Sequence, residues 1–393
     1  VSDLGSSAVQ VLLSFFVFLV GMIFVLSLRR LFDTSSSRVL LLYFWHTFFS
    51  LISFRYIIDY GGDAIAYYRY SFSPDLNFSF GTAAVEVLTS FLTQGVGLSF
   101  FGCFLVFQIF GAVGLIAFDA SLREVTSYKS RGIRLLATAI IFLPSISFWS
   151  SALGKDALSF FAMGLALWTA LDLKKRWFLL IISMLVMLLV RPHIAGMMGL
   201  GLAGSFVFQK RIPLLQRVVL GSCALLAAAA LVPIGLNYAG VGAEANASDL
   251  IEFIEGRQGH NLKGGGAVDI SSMSPPVQMF TYLFRPTLIE VRNPFSAAAA
   301  LDNTILLFLF LAGGWALIRK PLPTHVATHN RMFLWIYSLL AWLILAMTTA
   351  NLGIALRQKW MFAPMLIFLL ISVIGRPRVR LEPVQPSRAR GRR

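Results

Sequence analysis

Charge is what this sequence has least of. Of its 393 residues only 13% are Asp, Glu, Lys or Arg and 57% are hydrophobic, with a mean hydropathy of +0.76. A soluble domain carries about 25% charged residues, so the composition excludes a soluble globular enzyme and predicts a polytopic membrane protein. Cysteine is scarcer still. Cys103 and Cys223 both lie inside apolar runs, which argues against a disulfide framework or a zinc site. KGGG at 263–266 lacks the GxxxxGK spacing of a phosphate-binding loop. No internal repeat is evident, and no second soluble domain fits between the apolar runs. The opening VSDLGSS has one acid, no basic side chain and no clear cleavage site, so the first run is expected to remain as an uncleaved helix.

What is present is a series of apolar stretches. They fall at roughly 8–28, 39–58, 97–118, 133–152, 157–173, 177–191, 194–209, 217–237, 297–318, 332–350 and 360–375, against about 17–25 residues for one crossing. The expected fold is therefore all-α, a polytopic bundle of about eleven transmembrane helices. Several runs are short and are expected to end in protein-lined cavities. Residues 1–375 form a single transmembrane domain in this reading, with outer loops at about 59–96 and 238–296. The tail RPRVRLEPVQPSRARGRR (376–393) reads as a disordered, basic, cytoplasmic extension.

The net charge of +15 is not spread evenly. Clusters at Arg29, Arg30 and Arg38, at Arg123, Lys129, Arg131 and Arg134, and at Lys174, Lys175 and Arg176 fall on one side of an eleven-span layout. Lys210, Arg211 and Arg217, then Arg319, Lys320 and Arg331, then the arginines of the tail fall on the same side. The positive-inside rule makes that side the cytoplasm, with the N-terminus outside. The basic excess then signals topology and contact with anionic membrane lipids. No nucleic-acid partner is expected.

The opposite, outer side holds few cations, and most sit at helix ends or in tight turns. SFWSSALGKDALSFF (147–161) places Lys155 and Asp156 between two apolar runs, and LLVRPH places Arg191 before a proline. FRPTLIEVRNP holds Arg285, Glu290 and Arg292, and LRQKWMFAP holds Arg357 and Lys359. Each has an ordinary explanation taken singly: Lys155 would snorkel to headgroups and Asp156 would cap a helix. The recurrence points further. An Arg before a Pro sits at a helix break, and broken helices at membrane depth are tolerated where they line a cavity. Several arginines around one cavity suit phosphate oxygens. The first outer loop, DYGGDAIAYYRYSFSPDLNF, adds Asp59, Asp63, Tyr67, Tyr68 and Tyr70. Aromatic rings beside a carboxylate are a common way to hold a sugar. GTAAVEVLTSFLTQ is too polar to span and is expected to lie in the interface as a re-entrant or amphipathic segment. SDLIEFIEGRQ reads as a short amphipathic helix and His260 as a loop residue.

Taken together, GGDAIAYY, PSISFWSSALGKDAL, LLVRPH, the FRP…E…NP…LDN stretch and RQKWMFAPM resemble bacterial membrane glycan polymerases of the O-antigen and exopolysaccharide (Wzy-type) class. That resemblance implies an enzyme of the cytoplasmic (inner) membrane that joins oligosaccharide repeat units carried on undecaprenyl diphosphate at the outer face. It implies no cofactor, and other polysaccharide-assembly proteins as partners. The expected site has Lys155, Arg191, Arg285, Arg357 and Lys359 on the diphosphate. Asp63 would take the proton of the attacking hydroxyl, with Asp156 and Glu290 behind it, and Tyr67 and Tyr68 would hold sugar. Two other readings stand beside it. One is a glycosyltransferase using a polyprenyl phosphosugar, with magnesium on Asp59 and Asp63. The other is a transporter or flippase of a lipid-linked glycan, which calls for buried charges along the spans.

Overall fold

The structure is a computed structural model that describes residues 7–208, 266–319 and 330–375, with short stretches between 215 and 259. The run at 217–237 lies mostly outside the described residues. So do SDLIEFIEGRQ for the most part, His260 and the tail at 376–393.

The described chain is helical, and the only bridge between extended residues pairs Ala267 with Asn351. In order the helices are α1 (Ala8–Ser27), α2 (Ser36–Tyr60), α3 (Asp63–Tyr70), α4 (Thr82–Ser90) and α5 (Phe100–Thr126). Then come α6 (Arg131–Ile141), α7 (Pro144–Ser150), α8 (Lys155–Leu171), α9 (Leu173–Val190) and α10 (Pro192–Phe208). The last are α11 (Pro275–Phe284), α12 (Pro294–Arg319), α13 (Arg331–Thr348), α14 (Leu352–Gln358) and α15 (Ala363–Val373). Among the described residues six stretches are long and apolar enough to cross a membrane: Ala8–Arg30, Ser36–Tyr60, Phe100–Thr126, Arg131–Ser150, Pro294–Arg319 and Arg331–Thr348. The pair Leu352–Met361 and Ala363–Val373, bent by 63°, passes the same test only when taken together. The chain is a multi-pass membrane protein.

Local chemistry sets the helix starts. Ser7, Ser35, Ser99, Asp172, Asn330 and Asn351 each accept a hydrogen bond from a backbone amide of the first turn, satisfying donors that the helix leaves unpaired. Prolines at 144 and 275 open α7 and α11, where a missing N–H costs nothing. The 133–152 run is divided at Pro144 into α6 and α7. The stretch 59–96, expected as an outer loop with GTAAVEVLTSFLTQ as a re-entrant or amphipathic segment, carries α3 and α4. Helix α4 runs into a π-turn at Phe91–Gly95, and Gly81 ties its start to Leu189 of α9 (2.8 Å).

Helix α5 is the axis of the bundle and is buried along most of its length. Its closest neighbour is α8. A Cβ at Gly164 would stand 2.5 Å from the carbonyl oxygen of Gly114, so only glycine lets the two backbones approach this far. Helix α1, by contrast, shows Val9, Leu12, Phe15, Phe16 and Ile23 to its surroundings, which suits a lipid-facing surface.

The bundle has two chemically distinct ends. At one, Arg38 and Arg123 share the carboxylate of Asp119, and Arg176 approaches Glu124 (3.6 Å). Lys129 donates to the carbonyls of Ser372 (2.8 Å) and Ile374 (2.5 Å), and Arg331 donates to Ser372 Oγ. These cations neutralise the negative C-terminus of α15. Described members of four of the basic clusters thus gather at one end. Asp63, Asp156, Arg191 and Arg357 meet at the other.

Candidate functional site

Helix ends build the site. Gly61 (φ 81°) and Gly62 (φ 159°) turn the chain out of α2 so that Asp63 becomes the first residue of α3. Tyr67 follows one turn later on the same face. Gly154 (φ 152°) makes the turn into α8, and a Cβ there would lie 3.2 Å from the Tyr67 ring. Asp156 therefore enters the first turn of α8, where a negative charge suits the helix dipole. Arg191 sits between α9 and α10: Pro192 ends one helix and begins the next, and the Arg191 amide still bonds back to Met187 (2.7 Å). Arg357 lies in the last turn of α14.

These four side chains form one continuous ion-pair chain. Arg191 Nη2 donates to Asp156 Oδ1 at 2.6 Å. Asp156 Oδ2 lies 3.1 Å from Arg357 Nε, and Arg357 Nη1 donates to Asp63 Oδ2 at 2.9 Å. The order Arg191–Asp156–Arg357–Asp63 runs from inside to outside, from a side chain 8% exposed at Arg191 to 59% at Asp63. Lys155 stands at the rim and donates to Thr82 Oγ1 at 2.8 Å. A cavity of about 90 Å³ opens against this chain, walled by Tyr56, Tyr67, Phe148 and Trp149. Burial, reinforced by Asp63 and Asp156 and opposed by Arg191 and Arg357, pushes the Tyr67 hydroxyl well above its ordinary range.

Three cations against two carboxylates leave the pocket net positive. The Nε groups of Arg191 and Arg357 are buried without an aligned acceptor. A buried donor without a partner is costly, so both guanidinium groups retain capacity for an anion with several oxygens. No group of three or more His, Cys, Asp or Glu suited to a metal occurs among the described residues. Asp59 pairs with Arg55 one turn back on α2 (2.9 Å) rather than with Asp63.

The remaining expected site residues lie elsewhere. Tyr68 turns the other way from Tyr67 and packs on Phe72 and Phe100. Lys359 is fully buried, donating to Asn303 Oδ1 of α12 at 2.5 Å. Beside it, Asp302 accepts from both the amide and the hydroxyl of Ser145. Arg285 and Glu290 pair with each other at 2.5 Å, and neither lines the pocket. Sequence reasoning missed the aromatic walls Tyr56, Phe148 and Trp149, the Thr82 partner of Lys155, and the polar cluster under the pocket. The only available signal for that cluster was the polar pair Asp302–Asn303 in an otherwise apolar run.

The hydrogen bond from Arg285 holds the Glu290 carboxyl at about 2, well below the ordinary 4.5, with the Thr287 amide and hydroxyl assisting. A folded-state value below the unfolded one means that the stabilisation is fully present above about 4.5 and is lost as pH falls towards 2. The difference in melting temperature between the native protein and Glu290→Gln is therefore expected to be constant at neutral pH and to close in acid. For so exposed a pair the gap corresponds to about 0–1 kcal/mol. Thermal unfolding in detergent across that range checks it, and a gap that widens in acid would contradict the assignment.

Fold and site together define a multi-pass helical membrane protein with a cationic, aromatic-walled pocket at one end of its bundle. Comparison with protein-family models, with curated proteins and with solved structures finds no match.

Proposed function

We propose that this chain is a polymerase that joins lipid-linked oligosaccharide repeat units at the outer face of the bacterial cytoplasmic membrane, in O-antigen or exopolysaccharide assembly. In this reading the chain crosses the membrane about eleven times, the basic end faces the cytoplasm and the pocket opens outward. One observation carries the proposal: Arg191, Asp156, Arg357 and Asp63 form a single ion-pair chain against an aromatic-walled cavity.

The chemistry follows from that order. The lipid diphosphate of one repeat unit binds Arg191 and Arg357, with Lys155 at the rim. A hydroxyl of a second repeat unit attacks the anomeric carbon. The bond from that carbon to the diphosphate oxygen breaks, and its electron pair leaves with the lipid diphosphate. The arginines stabilise the charge as it grows, an effect strengthened where water is excluded. Asp63, the more exposed carboxylate, accepts the hydroxyl proton, while Asp156 positions both guanidinium groups. Tyr56, Tyr67 and Trp149 offer ring faces to sugar.

Transport of a lipid-linked glycan is the second reading, favoured by the buried Lys359 and Asp302, because ionisable groups inside a membrane often mark a transport path. The experiment separates the two. Arg191→Ala and Arg357→Ala in the native host are each expected to leave single repeat units on the outer surface and remove longer chains, at unchanged membrane abundance. The purified variants should bind undecaprenyl diphosphate at least tenfold more weakly. Repeat units trapped on the cytoplasmic side would instead indicate transport. Normal chain lengths in both variants would end the proposal.

A further inference from the structure

The basic end of the bundle holds a second cavity that the outer pocket does not explain. It has a volume of about 430 Å³ and is lined by Arg38 of α2, Asp119 and Arg123 of α5, and Arg131, Arg134 and Thr138 of α6. Asp119, 1% exposed, is the acid among its lining residues, and its two oxygens are already taken by Arg38 and Arg123. Arg123 also reaches across to the carbonyls of Phe32 and Asp33 and to Thr34 Oγ1. The side chains of Arg131 and Arg134 make no hydrogen bond or ion pair among the described residues.

Helix α6 makes their position more pointed. Arg131 is its first residue, its first turn contains no acid, and Ser130 before it makes no side-chain cap. Two cations at the positive end of a helix dipole repel it unless an anion lies between them. The amides of that turn add donors facing the same way. On the surface of α6, Leu135 is 58% exposed beside the arginines and Ala139 is exposed one turn further on. A phosphate group in the cavity would thus have hydrocarbon running past it along the helix.

From the cavity, its unmatched arginines and the apolar surface beside it, we infer that this is a binding site for the phosphate of an anionic phospholipid. The headgroup would sit among Arg38, Arg123, Arg131 and Arg134, with its acyl chains against α6. A basic pocket between membrane helices is a recurrent setting for such headgroups. The lipid would tie α6 to α2 and α5 by bridging Arg131 and Arg134 to Arg38 and Arg123, which now share only Asp119. The inference stands on the opposite end of the molecule from the proposed polymerase pocket and does not depend on it.

The test uses the full-length protein in mild detergent, stripped of lipid, with native mass spectrometry as the readout. Phosphatidylglycerol, phosphatidylcholine and inorganic phosphate are the probes. Phosphatidylglycerol is expected to bind at least tenfold more tightly than either of the others. The double variant Arg131→Gln/Arg134→Gln should lose at least tenfold in phosphatidylglycerol affinity. Lys174→Gln/Lys175→Gln removes exposed cations from the same end of the bundle and should change it less than twofold. Equal losses in the two double variants would show a diffuse surface field rather than a site and would overturn the inference. So would inorganic phosphate binding as tightly as the lipid, or full lipid affinity in Arg131→Gln/Arg134→Gln.

Discussion

Asp156→Asn is expected to abolish chain extension, by a factor of at least one hundred, while the protein still reaches the membrane. Asp156 contacts both arginines of the pocket, Arg191 at 2.6 Å and Arg357 at 3.1 Å. Asn keeps the volume but removes the charge, and its NH2 faces guanidinium groups that can only donate. Arg357 is then left with Asp63, which is 59% exposed, and Arg191 keeps no contact carboxylate among the described residues. Breaking a fully buried pair costs about 3–5 kcal/mol; Asp156 is 18% exposed, so the stability loss is expected below that range. The effect on activity is larger, because both guanidinium groups lose their common anchor and a displacement of about 1 Å can cost about a hundredfold. Asp63→Asn is the matched comparison. It should lower activity with little change in melting temperature, since its side chain is mostly in solvent. The glycan ladder and the melting temperature in detergent read both variants. Wild-type chain lengths with Asp156→Asn would remove Asp156 from its organising role.

Lys359→Met is expected to have the largest effect on stability. Lys359 is fully buried, bonds Asn303 and lies within electrostatic reach of Asp302, itself fully buried on Ser145. Met matches the volume of the stem but leaves the Asp302 carboxylate in an apolar interior without its cation. Removing one partner of a buried ion pair in contact costs about 3–5 kcal/mol. Lys359 and Asp302 make no direct ion pair, so the loss is expected at or below the lower end of that range, still a large part of a typical folding free energy. The consequence extends to the pocket, because Lys359 begins the bend between α14 and α15 and Arg357 lies two residues before it. The double variant Lys359→Met/Asp302→Asn removes both charges and should recover most of the loss. Thermal unfolding of the single and double variants in detergent measures this. A single variant as stable as the native protein would mean that the buried lysine and aspartate are not coupled.

How much of this was legible in advance differs from residue to residue. Arg191 was readable as a break residue, because Pro192 cannot continue a helix without an unpaired carbonyl behind it. Asp156 was readable as a cap of the helix that follows it, whereas Asp63 was read as a residue of an outer loop and opens α3 instead. Lys359 was read as a sibling of Arg357 from their closeness in sequence. Residues two apart on a helical turn point about 200° away from each other, so one faces the pocket and the other faces α12. Tyr67 and Tyr68 differ for the same reason: adjacent helical residues diverge by about 100°, and only Tyr67 meets the cavity.

By itself, the sequence determined the membrane class, the helical state and the clustering of basic residues. Each rests on composition or on a few neighbouring residues, whose chemistry does not depend on distant parts of the chain. Helical pairing, the ion-pair chain and the buried Lys359–Asn303 contact were decided only by the tertiary structure. Arg357 lies 294 positions from Asp63, and nothing local to either specifies the other. Their meeting depends on the close approach of α5 and α8 at Gly114 and Gly164, on the 63° bend after α14, and on Pro192 between α9 and α10. Inside a bundle each helix has several neighbours it could pack against, and the choice is made by the summed fit of all of them.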